Sequence, residues 1–274
     1  MRRSLQVLAA CLAFLSLNAC ATRPDDQPPA PKLAFAPETP APDIMTFPSL
    51  GRGLAGRTIR VSSEADLVLA RNEVVLTFDD GPMPGKTPRI LKALDAHGVK
   101  ATFLMVGQMA RSYPGLVREV AARGHTIGTH TQGHANLASA GFDRAVEQIE
   151  QGRASVAAAL VPTSFRAAPF FRFPYLADTA ALRRHLAMQG VVVVDPTIDS
   201  KDYFVSSPDQ VKSRTISTLQ QKGSGIILFH DIHMRTVEML PALLDELKAK
   251  GFRVVHLVPA SRTGESVLSA ALTQ

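Results

Sequence analysis

Two carboxylates stand side by side at Asp79 and Asp80. They follow the apolar, β-prone run 74–78 (VVLTF) and precede Gly81 and Pro82. Consecutive side chains of a strand point to opposite faces, so both acids can serve one site only if the chain bends there, and Gly-Pro is turn chemistry. The pair suits cation-assisted hydrolysis. One carboxylate ligates a divalent ion, and the other stays free to take a proton from a water that the ion acidifies. His130 and His134, in HTQGH, supply a complement. A spacing of four puts both rings on one side if the segment turns helically, and two imidazoles with one carboxylate form a common metal set with open positions. His230 directly follows the apolar run 225–229 (GIILF) and is the candidate acid, its imidazolium supported by Asp202 or Asp199. Taken singly, each feature also has a structural explanation: an Asx turn for the aspartates, surface or core positions for the histidines.

These residues need elements to hold them. Apolar runs at 74–78, 101–106, 125–129, 169–173, 191–194, 225–229 and 253–257 read as strands, with 58–62 as a further one before the first repeat. Helix-like segments follow at 87–98, 142–160, 178–190, 207–223 and 237–251. The first of them has Thr87 as N-cap, Pro88 at the first helical position and Gly98 as stop. Pro241 falls in the last, at a kink or in the first turn. Strand–helix alternation predicts an α/β fold with a parallel sheet, and near-continuous apolar strands imply cover on both faces. A barrel and an open doubly wound sheet both fit, and either puts reactive groups beyond the carboxyl ends of the strands. Five of the seven strand ends carry such groups: Asp79 and Asp80; His130 and His134; Arg172 and Tyr175; Asp195, Asp199 and Asp202; His230 and Asp231. The remaining marked residues read as structural. His97 and His185 lie exposed on helices, His125 and His256 in strands and His233 in a solvated loop near the rim, with substrate contact as its other reading, while Met105, Met109, Met234 and Met239 pack.

The chain has 274 residues, not all of one character. Residues 1–19 have a signal-peptide layout: Arg2 and Arg3, an apolar core too short to span a bilayer, then small residues. LNAC at 17–20 resembles the lipobox of bacterial lipoproteins, with Cys20 as the lipidated residue; a plain secretory cleavage near Ala19 or Ala21 is the other reading. Residues 20–50 form a linker with eight prolines, a semi-rigid spacer able to reach up to roughly 90 Å. Residues 51–274 suit one catalytic domain. Of the two cysteines, Cys11 falls in the signal core and Cys20 is the anchor candidate, which leaves none for a disulfide. Removing residues 1–19 takes away Arg2 and Arg3 and no acid, lowering the formal charge from +6 to +4. That charge is scattered, which argues against a nucleic-acid partner.

From about Val74 to Leu257 the chain resembles the polysaccharide deacetylase family, the NodB-homology domain of carbohydrate esterase family 4. Five motifs carry the resemblance: TFDD at 77–80, HTQGH at 130–134, RFPY at 172–175, DSKDY at 199–203 and LFH at 228–230. The resemblance implies a distorted (β/α) barrel of about seven strands. It implies Asp79 as base, Asp80, His130 and His134 as metal ligands, and Arg172 as the residue orienting the base. It further implies an oxyanion contact from the backbone near Tyr175, Asp202 supporting the acid, and His230 as that acid. Tyr175, Tyr203 and Leu228 are the expected substrate contacts. Zinc is the expected ion, with cobalt, nickel or manganese compatible. The implied activity is removal of N-acetyl groups from N-acetylglucosamine-containing glycans: peptidoglycan, chitooligosaccharide or exopolysaccharide. An O-acetyl esterase of the xylan type and a catalytically silent carbohydrate-binding lipoprotein are the alternatives. A phosphohydrolase lacks its phosphate-cradling glycine loop here. Three departures stand at positions expected to shape the acetyl pocket and sugar groove: Tyr203 for tryptophan, Leu176 for glycine and Gln132 for an aromatic. The expected state is an exported monomer, anchored to a membrane through Cys20. In a Gram-negative host, Ala21 after that cysteine favours the outer membrane, facing the periplasm.

Overall fold

The structure, a computed structural model, describes residues 53–260. The readings on residues 1–19, Cys20 and the whole 20–50 linker lie outside them, as do both ends of the 51–274 domain. Among the described residues, nine strands and seven helices follow in the order β1 (Ala55–Val61), β2 (Glu73–Asp79), α1 (Thr87–Ala96), β3 (Thr102–Met105), α2 (Gly107–Ser112), α3 (Pro114–Ala122), β4 (Thr126–Thr129), α4 (Phe142–Leu160), β5 (Phe170–Phe171), α5 (Ala180–Met188), β6 (Val192–Val193), β7 (Ile198–Asp199), α6 (Pro208–Lys222), β8 (Gly225–His230), α7 (Met234–Ala249) and β9 (Arg253–Pro259). Short 3-10 turns lie at Glu64–Asp66 and Pro174–Leu176.

Every strand pairing is parallel. Seven strands form one path, β7-β8-β2-β3-β4-β5-β6. The two ends of that path, β6 and β7, are consecutive in the chain and unpaired, so the expected seven-stranded barrel is distorted, with a seam there. Val74 pairs with Gly225 of β8 on one edge and with Val254 of β9 on the other, before β3 takes over that second edge from Thr77 onward. β9 in turn carries β1.

Strand alternation sorts the core into layers. Val74, Leu76, Phe78, Phe103, Met105, Ile227 and Phe229 face the helices and pack with Leu94, Val117, Val156 and Leu243. The opposite parity, Val75, Leu104, Phe170, Val192, Val194 and Ile226, fills the interior, where Ile59, Val61, Val255 and Leu257 of β1 and β9 join it. Two residues further along the same inward rows stand Thr77, Arg172 and Leu228, and four further stand Asp79 and His230. The parity that buries Val75 and Phe170 therefore sends the polar groups to the carboxyl-terminal mouth.

Local signals explain most boundaries. Ser207 and Gln210 form a reciprocal capping box at α6, which stops at Gly223 in the left-handed region. Thr179 caps α5, and Pro114 opens α3. Gly98 has φ 63° just beyond α1. Thr87 differs from expectation: it is the first helical residue of α1, and its hydroxyl is engaged elsewhere. α2 and α3 were not anticipated, because Tyr113-Pro114 breaks their apolar pattern into two pieces too short to register as a period. α7 starts earlier than expected, which leaves Pro241 in its interior. His97 and His185 are half-buried, and His97 bonds to Ala93 O and Asp245. Met234 is exposed and does not pack as a core residue.

Candidate active site

The mouth of the barrel holds a cavity of about 340 Å³. Asp79, Asp80, His130, His134, Phe173, Tyr175, Leu176, Asp199, Tyr203, Leu228, His230 and His233 line it. β2 contributes Asp79 as its last residue, and the chain then bends at Asp80, whose φ of 78° lies in the left-handed region. That bend answers the parity problem of adjacent acids, since Asp80 no longer continues the strand. The following Gly81–Pro82 peptide is cis. Further positive φ values occur at Thr131 (67°), His134 (57°), Tyr175 (59°) and Leu176 (54°), all beside the cavity. Left-handed backbone in non-glycine residues is costly, so its concentration here marks a region shaped by something other than local preference.

Asp80, His130 and His134 each offer one ligand atom, and these atoms lie within 4.8 Å of one another. Asp80 Oδ1 is 3.6 Å from His130 Nε2 and 3.3 Å from His134 Nε2. His130 Nδ1–H donates to Arg172 O at 2.8 Å, so its Nε2 lone pair faces Asp80. Burial pushes the His130 imidazole down to about 3, which keeps it neutral as a ligand must be. Asp80 Oδ1 is buried without a hydrogen-bond partner among the described residues. Two imidazole rings facing a carboxylate oxygen that has no hydrogen-bond partner form a donor set that fits a divalent cation. The segment between the histidines is an irregular turn with two left-handed residues, not the helical turn expected from their spacing.

That turn is clamped from behind. Gly107 and Gln108 N–H at the start of α2 donate to Thr131 O and Gln132 O, each at 2.9 Å. Gln148 of α4 accepts from Gly133 N–H. Gly152 of α4 lies so close that a Cβ there would sit 2.5 Å from the Thr131 carbonyl carbon. The Gln132 side chain is buried and accepts from Ser155 Oγ. It points at α4 and not at the cavity, so this departure from the family pattern does not shape the groove; Leu176 and Tyr203 do line it.

Asp79 sits on the inner side of the donor set, Oδ2 3.9 Å from His130 Nε2. Arg172, fully buried inside the barrel, donates from Nη1 to Asp79 Oδ1 and Thr77 Oγ1, both at 2.8 Å, and from Nε to Val194 O at 2.7 Å. A buried guanidinium without such partners would be strongly destabilising. Burial pushes the Asp79 carboxyl up, against the opposing pull of Arg172 and His230. A group held this way accepts a proton more readily than a solvated aspartate.

His230 stands directly opposite Asp79 in the β2–β8 register. Its Nδ1–H donates to Asp202 Oδ1 at 2.7 Å, and its backbone N–H donates to Asp202 Oδ2 at 2.8 Å. Thr236 Oγ1 of α7 donates to the same Oδ2 at 2.6 Å. Burial works against the His230 imidazolium, but Asp202 overrides it and raises the group to about 9. Burial likewise opposes the Asp202 carboxylate, yet the bonds from His230 and Thr236 hold it below the usual range. His230 is therefore a charged donor at neutral pH.

The Tyr203 ring stands edge-on to His230 at 5.5 Å, its hydroxyl donating to Asp199 at 2.8 Å. Tyr175 meets His134 edge-on at 4.7 Å and is two-thirds exposed. Asp195 is not brought in; it pairs with Arg183 of α5. Thr77 and Thr236 belong to the site, though neither was singled out for it, and His233 lines the cavity where a solvated loop was the first reading. Thr77 shares Asp79's inward parity, a readable signal, whereas Thr236 arrives from a later helix with no local mark.

A family model described as polysaccharide deacetylase matches residues 68–194. A peptidoglycan-N-acetylglucosamine deacetylase of Bacillus cereus is 34% identical over 197 residues, covering 70% of each chain. A chitin deacetylase of Colletotrichum lindemuthianum is 34% identical over 194 residues, 66% of this chain and 76% of the relative. Among solved structures, the Bdellovibrio bacteriovorus peptidoglycan deacetylase Bd3279 is similar with a TM-score of 0.61 and 32% identity, over 77% of this chain and 58% of that one.

Proposed function

Because the chain belongs to the polysaccharide deacetylase family, we propose that it removes N-acetyl groups from N-acetylglucosamine residues of a glycan and releases acetate. The observation that carries this reading is the convergence of three donors, a buried acid and a charged imidazole around one cavity. Asp80, His130 and His134 would hold a divalent cation, zinc being the first choice and cobalt, nickel or manganese compatible. When bound, that ion polarises the acyl carbonyl and acidifies water.

The chain's own residues supply the rest. Asp79, fixed by Arg172, takes a proton from the attacking water. The backbone N–H of Tyr175, a residue of the cavity wall, would donate to the oxygen on which negative charge develops. His230, charged and oriented by Asp202, gives its Nε2 proton to the departing nitrogen. Tyr203 and Leu228 close the cavity around the acetyl methyl. The leader-like residues 1–19 and Cys20 support export and lipid anchoring, and the relatives' substrates favour peptidoglycan or a chitin-like polymer.

The test is acetate release by the zinc- or cobalt-loaded full chain from peptidoglycan, N-acetylglucosamine oligomers and acetylated xylan. Release from the first two is expected, with Asp79→Asn abolishing turnover while metal stays bound. Release from xylan alone would reassign the enzyme to ester cleavage. Normal turnover by Asp79→Asn would remove the base assignment.

A further inference from the structure

Asp231 follows the proposed acid directly and has no part in the chemistry above, yet it is 1% exposed. A buried carboxyl ordinarily has its oxygens satisfied. Here Oδ2 accepts from Thr87 Oγ1 at 2.6 Å, while Oδ1 has no hydrogen-bond partner among the described residues. The carboxyl lies directly beneath the turn that follows β2: a Cβ on Gly81 would overlap both of its oxygens. The Asp231 backbone N–H donates to Asp79 O at 3.3 Å. Thr87 continues the lock, because its hydroxyl also accepts from Met83 N–H at 2.7 Å. Lys86 Nζ donates to Ile232 O at 2.7 Å, tying the start of α1 to the same loop. The turn 79–83 is thus gripped on its inner side by one carboxyl and at its far end by one hydroxyl.

The gripped turn contains Asp80, whose left-handed backbone aims its carboxylate at His130 and His134. We infer that Asp231 is a positioning residue for that donor set: anchored by Thr87, its carboxyl packs against Gly81 and holds the turn in the conformation that presents Asp80. The inference rests on the metal reading above. Groups that orient a metal ligand without touching the ion commonly change affinity 10- to 100-fold when removed. Asp231 acts through the turn and makes no contact with substrate.

The experiment uses the full chain and two probes, zinc and cobalt. Metal affinity is measured by competition with a chelator, and amide exchange of peptides spanning 79–87 is measured on metal-free protein. Asp231→Ala is expected to weaken both metals by about 10- to 100-fold, speed exchange in 79–87, and lower kcat with little change in KM. Thr87→Val is expected to do the same to a lesser degree. Asp231→Asn keeps the volume and an acceptor for Thr87, so it should restore affinity to near the wild-type value. Leu247→Ala, in the core of α7, serves as a control that lowers thermal stability without changing metal affinity. Wild-type affinity and exchange in Asp231→Ala would overturn the inference, as would an equal loss of affinity in Leu247→Ala. Failure of the wild-type chain to bind either metal would instead overturn the metal reading, and this inference with it.

Discussion

His230 shows how a single contact sets the working range of a residue. Its ordinary pKa of 6.5 would leave it mostly neutral at pH 7, and burial alone would lower it further; Asp202 brings it to about 9. A raised pKa means that the folded state holds the proton more tightly than the unfolded one. The stabilisation is complete below about pH 6.5 and is lost as pH rises through about 9. Asp202→Asn should therefore move the alkaline limb of the kcat/KM profile to lower pH, and the pH dependence of the denaturation midpoint should shift the same way. An unchanged limb would show that His230 is not the group titrating there. Asp79 has the converse design: burial pushes its carboxyl up, and Arg172 and His230 restrain that rise.

At the scale of elements, the ligand turn between β4 and α4 is held less by its own sequence than by what packs behind it. Gly152 illustrates this. In a helix interior, alanine is favoured over glycine by about 1 kcal/mol, so propensity alone makes Gly152→Ala stabilising. Its Cβ would press on the Thr131 carbonyl, 2.5–2.6 Å away, and displace the turn. The expected result is an affinity for zinc about tenfold weaker, read by chelator competition, with no gain in melting temperature. The same contrast marks what sequence could reveal. Asp79, His130, Arg172 and His230 were legible because they stand at the ends of apolar runs and a parallel sheet exposes its carboxyl ends. β5, β6 and β7 are two residues each, too short for any periodicity, yet they position Arg172 and the Asp199–Asp202 loop. The left-handed residues Thr131, His134 and Tyr175 carry no mark in a sequence without glycine there, because surrounding packing imposes their conformation. Asp231 looked like one more rim acid until its depth was known.

Across the whole molecule, the two ends of the barrel differ in character. The mouth holds charged pairs, whereas the opposite end is closed by apolar residues and by a neutral histidine. His125, just before β4, has its Nδ1 accepting from Ala101 N–H at 3.1 Å and its Nε2 buried without a partner among the described residues. Burial lowers it to about 3, helped by Lys100 and His256 and opposed by Asp95. Its depressed pKa means that the unfolded chain takes up a proton first. Stability present above about pH 6.5 is lost on acidification toward about 3, at up to about 1.4 kcal/mol per pH unit. His125→Asn, which preserves an acceptor for Ala101, should flatten the denaturation midpoint between pH 6.5 and 4; an undiminished slope would place the acid sensitivity elsewhere. The β1–β9 pair has a consequence for how the molecule is held. Because β1 runs parallel to every other strand, Ala55 enters at the amino-terminal pole, remote from the mouth. The chain upstream of Ala55 therefore joins the barrel at the pole opposite the groove, so the junction itself takes no part in forming the catalytic mouth.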